Sequence, residues 1–185
     1  MPVLTTQDAA LLAAGIAAGT KLLTDALTAR GAATRAAHRA VLQPHLSDLA
    51  TTIHGVVAGA VLAHRRLQDD KTAGNALENS QCAAAALKQH RLEVKYSLPG
   101  LQEPLRTLTR APDWIATYKG DSSGDGFIEC LQRLSGMVDA TITRSYRRGR
   151  PPTCWEQWRL SRETKRIRST WEGRFDRAAQ VEEQR

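Results

Sequence analysis

The amino-acid sequence predicts an all-α protein, and three features of its 185 residues support this. Alanine is very frequent, while aromatic residues make up only 5% of the chain. Runs of β-branched residues are nearly absent, so helix propensity dominates and strands have little to build on. Apolar residues also recur at spacings of three and four, the period of an amphipathic helix. We expect one domain over residues 1–185, an antiparallel bundle of about five to six helices.

The first long helix is predicted over residues 6–30. Gly15 and Gly19 form a pair of small residues four apart, which allows another helix to approach closely. Pro44 is expected to break or kink the helical chain, because proline removes one backbone hydrogen bond and clashes with the preceding turn.

Residues 9–29 raise the question of a membrane anchor, because this apolar segment is nearly long enough to span a bilayer. Lys21 and Asp25 lie inside it, and each would cost about 2.5–3.5 kcal/mol at the bilayer centre. The pair is four residues apart and fits a salt bridge on one face of a soluble helix. A soluble, close-packed helix and a single-pass anchor with its cytoplasmic end after residue 29 therefore both stay open.

The clearest helical pattern lies in residues 42–67, where apolar side chains alternate four and three residues apart. This is the seam of a helix packed lengthwise against its neighbours. Gly55 and Gly59 add a second surface for close approach, so we expect this helix at the centre of the core. The seam consists of Leu42, Leu46, Leu49, Ile53, Val56, Ala60, Ala63 and Leu67.

Further helices are predicted along the rest of the chain. A third helix is expected over residues 73–95, which completes an alanine- and glycine-tight scaffold over residues 1–95. Pro104 and Pro112 each fit the first turn of a short helix, so residues 101–119 should form two of them. The next helix ends near residue 148, and a last, basic helix is expected over residues 153–179. Their apolar stripes are Phe127, Leu131, Leu134, Val138 and Ile142 in the former, and Leu160, Ile167, Trp171 and Phe175 in the latter.

Most of the net charge of +7 lies at the C-terminal end of the chain. Residues 144–185 carry twelve lysines and arginines against six acids, and three of the four tryptophans. Such a segment favours docking onto a partner. Two alternatives stay open: acids at three- and four-residue spacing could neutralise the arginines, and Trp155 and Trp158 could anchor the helix to the core. The candidate binding residues are Arg147, Arg148, Arg150, Trp155, Trp158, Arg159, Arg162 and Arg166.

The segment Arg147-Arg148-Gly149-Arg150-Pro151 resembles the core of an AT-hook. In that motif the glycine lets the backbone enter a narrow minor groove while the flanking arginines lie along it. The basic residues that usually follow the proline are missing here. The alternative is a helix stop, in which the glycine ends one helix and the prolines open the next.

Residues 121–132 resemble an EF-hand calcium loop. Asp121, Ser123 and Asp125 would supply oxygen ligands, and Gly126 would take the sharp turn. The sequence departs from the pattern at the twelfth position, where Gln132 replaces the glutamate that grips the ion with both oxygens. The alternative is a polar turn in which Asp121 or Asp125 caps the following helix. We expect no cofactor, with calcium as the one candidate.

These patterns favour a protein that acts by binding, not an enzyme. The chain contains no phosphate-binding loop, nucleophile elbow or dinucleotide fingerprint. The five histidines are expected to be hydrogen-bonded or exposed, not metal ligands. We expect an adaptor that docks a protein partner, or a second copy of itself, through the basic C-terminal helix. The alternatives are nucleic-acid binding by Arg147–Arg150 and that helix, and a membrane-anchored accessory protein. The expected location is the cytoplasm, with tethering to the inner face of the membrane under the last alternative.

Overall fold

A computed structural model gives the fold of the chain. It describes the backbone of residues 6–69, 72–118 and 123–183, and the side chains of residues 24–69, 72–117 and 124–171. These residues form helices and contain no strand, which confirms the predicted all-α class. The helices are α1 (Thr6–Gln68), α2 (Gly74–Glu93), α3 (Gln102–Thr109), α4 (Ala111–Tyr118), α5 (Ser123–Arg148) and α6 (Cys154–Glu183).

Helix α1 differs from the prediction, because it runs without interruption through Pro44. The predicted break there was wrong. The side chain of Pro44 is exposed, so the carbonyl that loses its hydrogen bond lies toward solvent and can be hydrated. Leu42 and Leu49, on either side, are fully buried and hold both halves of the helix against the same core. Tertiary packing therefore outweighs the local cost of the proline.

Helices α1 and α2 form an antiparallel pair in close contact. A Cβ atom at Gly59 would lie 2.7 Å from the Cβ of Ser80 and 3.0 Å from its Cα, so only glycine allows this approach. The Ser80 hydroxyl donates a hydrogen bond of 2.8 Å to the carbonyl of Val56. Gly55 also lies close to α2, since a Cβ atom there would be 3.1 Å from the Cβ of Ala83. The predicted close-approach surface of Gly55 and Gly59 is confirmed, and it sets the register of the pair.

The core lies where α1, α2, α5 and α6 meet. In the predicted seam of α1 only Leu46 and Leu67 are partly exposed, and the stripe of α5 is buried from Phe127 to Ile142. Phe127 lies between two tryptophan rings, with its centroid 5.4 Å from that of Trp114 and 5.6 Å from that of Trp171. These edge-on contacts join α4, α5 and α6. The two short helices predicted around Pro104 and Pro112 are confirmed as α3 and α4.

The N-terminal part of α1 bears on the membrane question. Side chains from residue 24 to 41 are mostly exposed, Leu27 to 70%. Among the described residues, Thr24–Gln68 is long and apolar enough to cross a membrane, and 39% of its most apolar window is buried in the fold. A core helix has the same properties. The predicted span over residues 9–29 lies mainly outside the described side chains, so the anchor and the cytoplasmic location stay predictions.

Candidate functional site

The site is built on the turn that joins α5 to α6. Gly149 has a positive φ of 64°, and its N–H donates to the carbonyl of Tyr146 at 3.0 Å. The N–H of Arg150 donates to the carbonyl of Ser145 at 3.2 Å. These two bonds are the Schellman arrangement that satisfies the last carbonyls of a helix. The glycine therefore ends α5, as the helix-stop alternative predicted.

Helix α1 holds this turn from the other side. Arg39 donates hydrogen bonds to the carbonyls of Tyr146 and Arg147, at the negative end of the α5 dipole. His38 Nε2 lies 3.1 Å from the hydroxyl of Ser145, which donates to the carbonyl of Arg150 at 2.6 Å. Burial lowers the pKa of His38 below its usual value. The turn is thus fixed to the bundle by α1.

The start of α6 is set by a capping box. The N–H of Thr153 donates to Glu156 Oε2 at 2.9 Å, and the N–H of Glu156 donates to the Thr153 hydroxyl at 3.3 Å. This reciprocal pair satisfies two of the free N–H groups at a helix N-terminus. Helix α6 therefore begins at a fixed point and with a fixed direction.

Glu156 also ties α5 to α6 through two arginines. Its carboxylate accepts hydrogen bonds from Arg148 at 3.0 and 3.1 Å and from Arg144 at 3.3 Å, and the side chain is only 8% exposed. Burial by itself raises the pKa of this carboxyl. The hydrogen bonds from Thr153 and Arg148, with the charge of Arg148, outweigh that effect and hold the pKa below its usual value.

This buried carboxylate predicts a pH dependence of stability. A lowered pKa means that the stabilisation is complete above about pH 4.5, the ordinary pKa of the group, and is lost as the pH falls through the lower pKa of the folded protein. We expect Glu156→Gln to cost about 1–2 kcal/mol of unfolding free energy at pH 7. Urea unfolding between pH 7 and pH 3 should show this difference shrinking below about pH 4.5. Glu129→Gln is the control, because Glu129 pairs with Arg133 at a carboxylate that is 71% exposed. Equal effects of the two variants at every pH would contradict the prediction.

Two tryptophans lie on the outer side of α6 just after this cap. Trp155 and Trp158 are 65% and 49% exposed, and their rings are stacked with centroids 4.8 Å apart and planes at 22°. The guanidinium of Arg162 lies over the Trp158 ring at 5.5 Å. Both tryptophans are therefore outside the core, contrary to the core-anchor alternative. We call Trp155, Trp158, Arg159 and Arg162 the tryptophan–arginine face.

A groove of about 700 Å³ runs between this face and α5. Its α5 wall is formed by Arg133 and Met137, two residues that sequence analysis did not single out. They are four residues apart on α5, where Arg133 is exposed and Met137 is partly buried against the edge of the core. Glu163 lies in the groove, 2.7 Å from Arg166 and 4.0 Å from Arg133.

The charges in the groove divide into two groups. Arg133 and Arg166 are paired with glutamates, so part of the predicted neutralisation within the protein is found. Over the described side chains, Arg159, Arg162 and Lys165 form no ion pair and are exposed. The groove thus combines stacked indoles with three cations for which the described side chains supply no counter-ion.

The predicted binding residues are only partly brought together. Trp155, Trp158, Arg159, Arg162 and Arg166 line one groove. By contrast, Arg147 and Arg148 end α5, and Arg150 lies in the turn that follows.

At that turn, Arg148 is bound to Glu156, and a Cβ at Gly149 would lie 2.7 Å from the Cβ of Arg35. An AT-hook needs its glycine free to enter a minor groove, while here the glycine is packed against α1. DNA binding through Arg147 and Arg150 stays a prediction, with a helix stop as the observed role of the segment.

The calcium-loop resemblance falls on a helical segment. Helix α5 begins at Ser123, so Ser123 and Asp125 lie in its first turn, where an EF-hand would have an irregular loop. Asp125 Oδ1 is 2.9 Å from Nε2 of His64 and accepts from Gln68 at 3.0 Å. The His64 bond, then the Gln68 bond, holds the pKa of Asp125 below its usual value. Asp121 lies outside the described residues, so the proposed calcium site as a whole stays a prediction.

No protein-family model, curated protein or solved structure matches the chain. Its function must therefore be inferred from its own geometry.

Proposed function

We propose that this protein is a non-catalytic binding protein that docks an acidic partner protein in the groove between α5 and α6. One observation carries the proposal. Trp155 and Trp158 are exposed as a stacked pair, in the same helix that buries Trp171 to 7% exposure. Tryptophan, arginine and methionine are enriched at protein interfaces, and tryptophan and arginine often carry most of the binding energy.

The charges indicate what kind of partner fits. Arg159, Arg162 and Lys165 offer positive charge beside the indoles, and carboxylates of a partner would complement it. Arg159 follows Trp155 by four residues and Arg162 follows Trp158 by four, so charge and aromatic surface lie on one side of the helix. An acidic, partly apolar segment would satisfy both at once.

A protein partner suits this groove better than nucleic acid. Glu163 lies in the groove and would repel a phosphate backbone, which carries a charge at every nucleotide, whereas a protein partner can place its carboxylates at Arg159 and Arg162 and none beside Glu163. Arg148, Arg133 and Arg166 are already engaged by glutamates, which reduces the number of cations available for phosphates. Nucleic-acid affinity depends mainly on such phosphate contacts. The apolar indoles, by contrast, gain most from burial under a protein surface.

The test is a capture experiment with the full-length chain and two variants. Trp155→Ala combined with Trp158→Ala should remove the bound partner, because the indoles supply the apolar contact. Their exposure means that the unfolding free energy should change by only about 0.5 kcal/mol per site. Tyr96→Ala is the matched control, since Tyr96 is 87% exposed outside the groove. Retained protein is identified by mass spectrometry after nuclease treatment, and its affinity for wild type and variants is measured with the purified partner.

The proposal predicts an acidic protein that binds wild type and Tyr96→Ala equally and binds the double variant at least tenfold more weakly. Binding that disappears with nuclease, and that weakens linearly in a plot of log affinity against log salt, would assign the face to nucleic acid instead. A wild-type dimer that the double variant converts to monomer in sedimentation would assign it to a second copy. Either result would overturn the proposal.

A further inference from the structure

We propose that His45, His90 and Glu93 form a binding site for a divalent transition metal ion, with Zn²⁺ as the best fit. One ring nitrogen of each histidine and a carboxylate oxygen of Glu93 all lie within 4.8 Å of one another. This set lies on α1 and α2, on residues that the proposed docking groove does not use. Neither inference depends on the other.

The geometry of the three side chains converges on one oxygen. Glu93 Oε2 is 2.9 Å from Nδ1 of His90 and 3.3 Å from Nδ1 of His45. Two ligands of a tetrahedral zinc ion are about 3.3–3.5 Å apart, given bonds of roughly 2.0–2.2 Å. The ligand atoms lie within 4.8 Å of one another, so each separation has to change by at most about 1.5 Å to reach this value. Rotation of the side chains can supply that change.

The chemistry of the set suits zinc. Imidazole nitrogen together with a carboxylate oxygen is a common ligand combination for Zn²⁺. The side chains of His45, His90 and Glu93 are 28%, 20% and 36% exposed, so an ion can enter from solvent and a water can take the fourth position. Three protein ligands with one open position make a site that is accessible and not fully enclosed.

The position of Glu93 supports a bound cation. Glu93 is the last residue of α2, where the helix dipole favours positive charge and disfavours a carboxylate. A metal ion bound there would place net positive charge at that helix end. His90 and Glu93 are three residues apart and lie on one face of α2. His45 faces them because the register set at Gly59 and Ser80, continued along both helices, brings residue 45 opposite the end of α2.

This site was missed from the sequence, where the histidines were expected not to be metal ligands. The local signal was the His-x-x-Glu spacing of His90 and Glu93. The third ligand, His45, lies 45 residues before His90 in the chain, and only the pairing of α1 with α2 brings it near.

Titration of ZnCl₂ into the full-length chain, prepared without a histidine tag, tests the proposal by calorimetry. We expect one Zn²⁺ per chain, a rise in Tm on binding, and proton release where the ligands are partly protonated. His45→Ala, His90→Ala and Glu93→Gln should each weaken binding at least tenfold. His54→Ala is the matched control, because His54 is an exposed histidine of α1 outside the cluster and should leave binding unchanged.

Two further measurements keep the outcome clear. Circular dichroism without metal should show that the ligand variants fold as wild type does. The visible absorption of bound Co²⁺ should indicate four-coordination in wild type and His54→Ala, and should be lost in His45→Ala. Absence of saturable binding to wild type, or equal affinities in wild type and the three ligand variants, would overturn the site.

Discussion

Replacing Phe127 with alanine is expected to lower the free energy of unfolding by about 3–5 kcal/mol. Phe127 is fully buried and contacts Trp114 and Trp171 edge-on from either side. The substitution would remove apolar surface, leave a cavity at the junction of α4, α5 and α6, and delete two aromatic pairs. Urea unfolding monitored by far-UV circular dichroism measures the loss.

Two comparisons show whether the effect comes from this junction. Phe127→Leu keeps much of the volume and should lose less than Phe127→Ala. Tyr96→Ala removes an aromatic ring that is 87% exposed and should change the unfolding free energy by no more than about 0.5 kcal/mol. If Phe127→Ala unfolded at the same urea concentration as Tyr96→Ala, the aromatic contacts that join α4, α5 and α6 would not contribute to stability as expected.

Replacing Gly149 with alanine is expected to cost about 2–4 kcal/mol. One part of the cost is conformational, because φ at this position is +64° and L-residues disfavour that region. The other part is steric, since the new Cβ would lie 2.7 Å from the Cβ of Arg35 and 2.8 Å from its carbonyl oxygen. Two backbone atoms of Arg35 lie within 3.0 Å of the new Cβ and cannot rotate away, so the turn would have to move away from α1. Thermal unfolding of the purified variant measures the effect.

Gly136→Ala is the control for this substitution. Gly136 lies inside α5, the helix that Gly149 ends, with nothing within 4 Å of the position of an added Cβ. Alanine there should stabilise the protein by about 0.5–1 kcal/mol through better helix propensity. Destabilisation of similar size at both positions would show that the loss at Gly149 does not arise from its φ angle and its contact with α1.

The proposed docking surface and the proposed metal site differ in how far the sequence alone indicated their residues. The basic, tryptophan-rich segment was visible in composition, and it led to five residues that the structure places on one groove: Trp155, Trp158, Arg159, Arg162 and Arg166. Arg133 and Met137 come from another helix and carried no comparable signal. No spacing along the chain relates His45 to His90 and Glu93, and their proximity depends on the pairing of two helices.

Local periodicity by itself determined the helices and their buried faces. The seam of α1 and the stripe of α5 follow from the repeat of 3.6 residues per turn, and the stop at Gly149 follows from the chemistry of a helix C-terminus. These features depend on neighbours within about one turn. The local sequence is therefore enough to predict them, and the structure confirms them.

Only the tertiary structure decided the features that depend on distant residues. Pro44 stays helical because leucines on both sides pack on a shared core. Trp171 is buried because it packs against Phe127 of α5, whereas Trp155 and Trp158 do not contact Phe127 and are exposed. The three tryptophans have the same residue type and lie in the same helix, so the local sequence does not distinguish the buried one from the exposed ones. Which face of a helix is buried depends on how helices far apart in sequence pack together. The free energy of that packing comes from contacts between the helices, which local sequence does not specify.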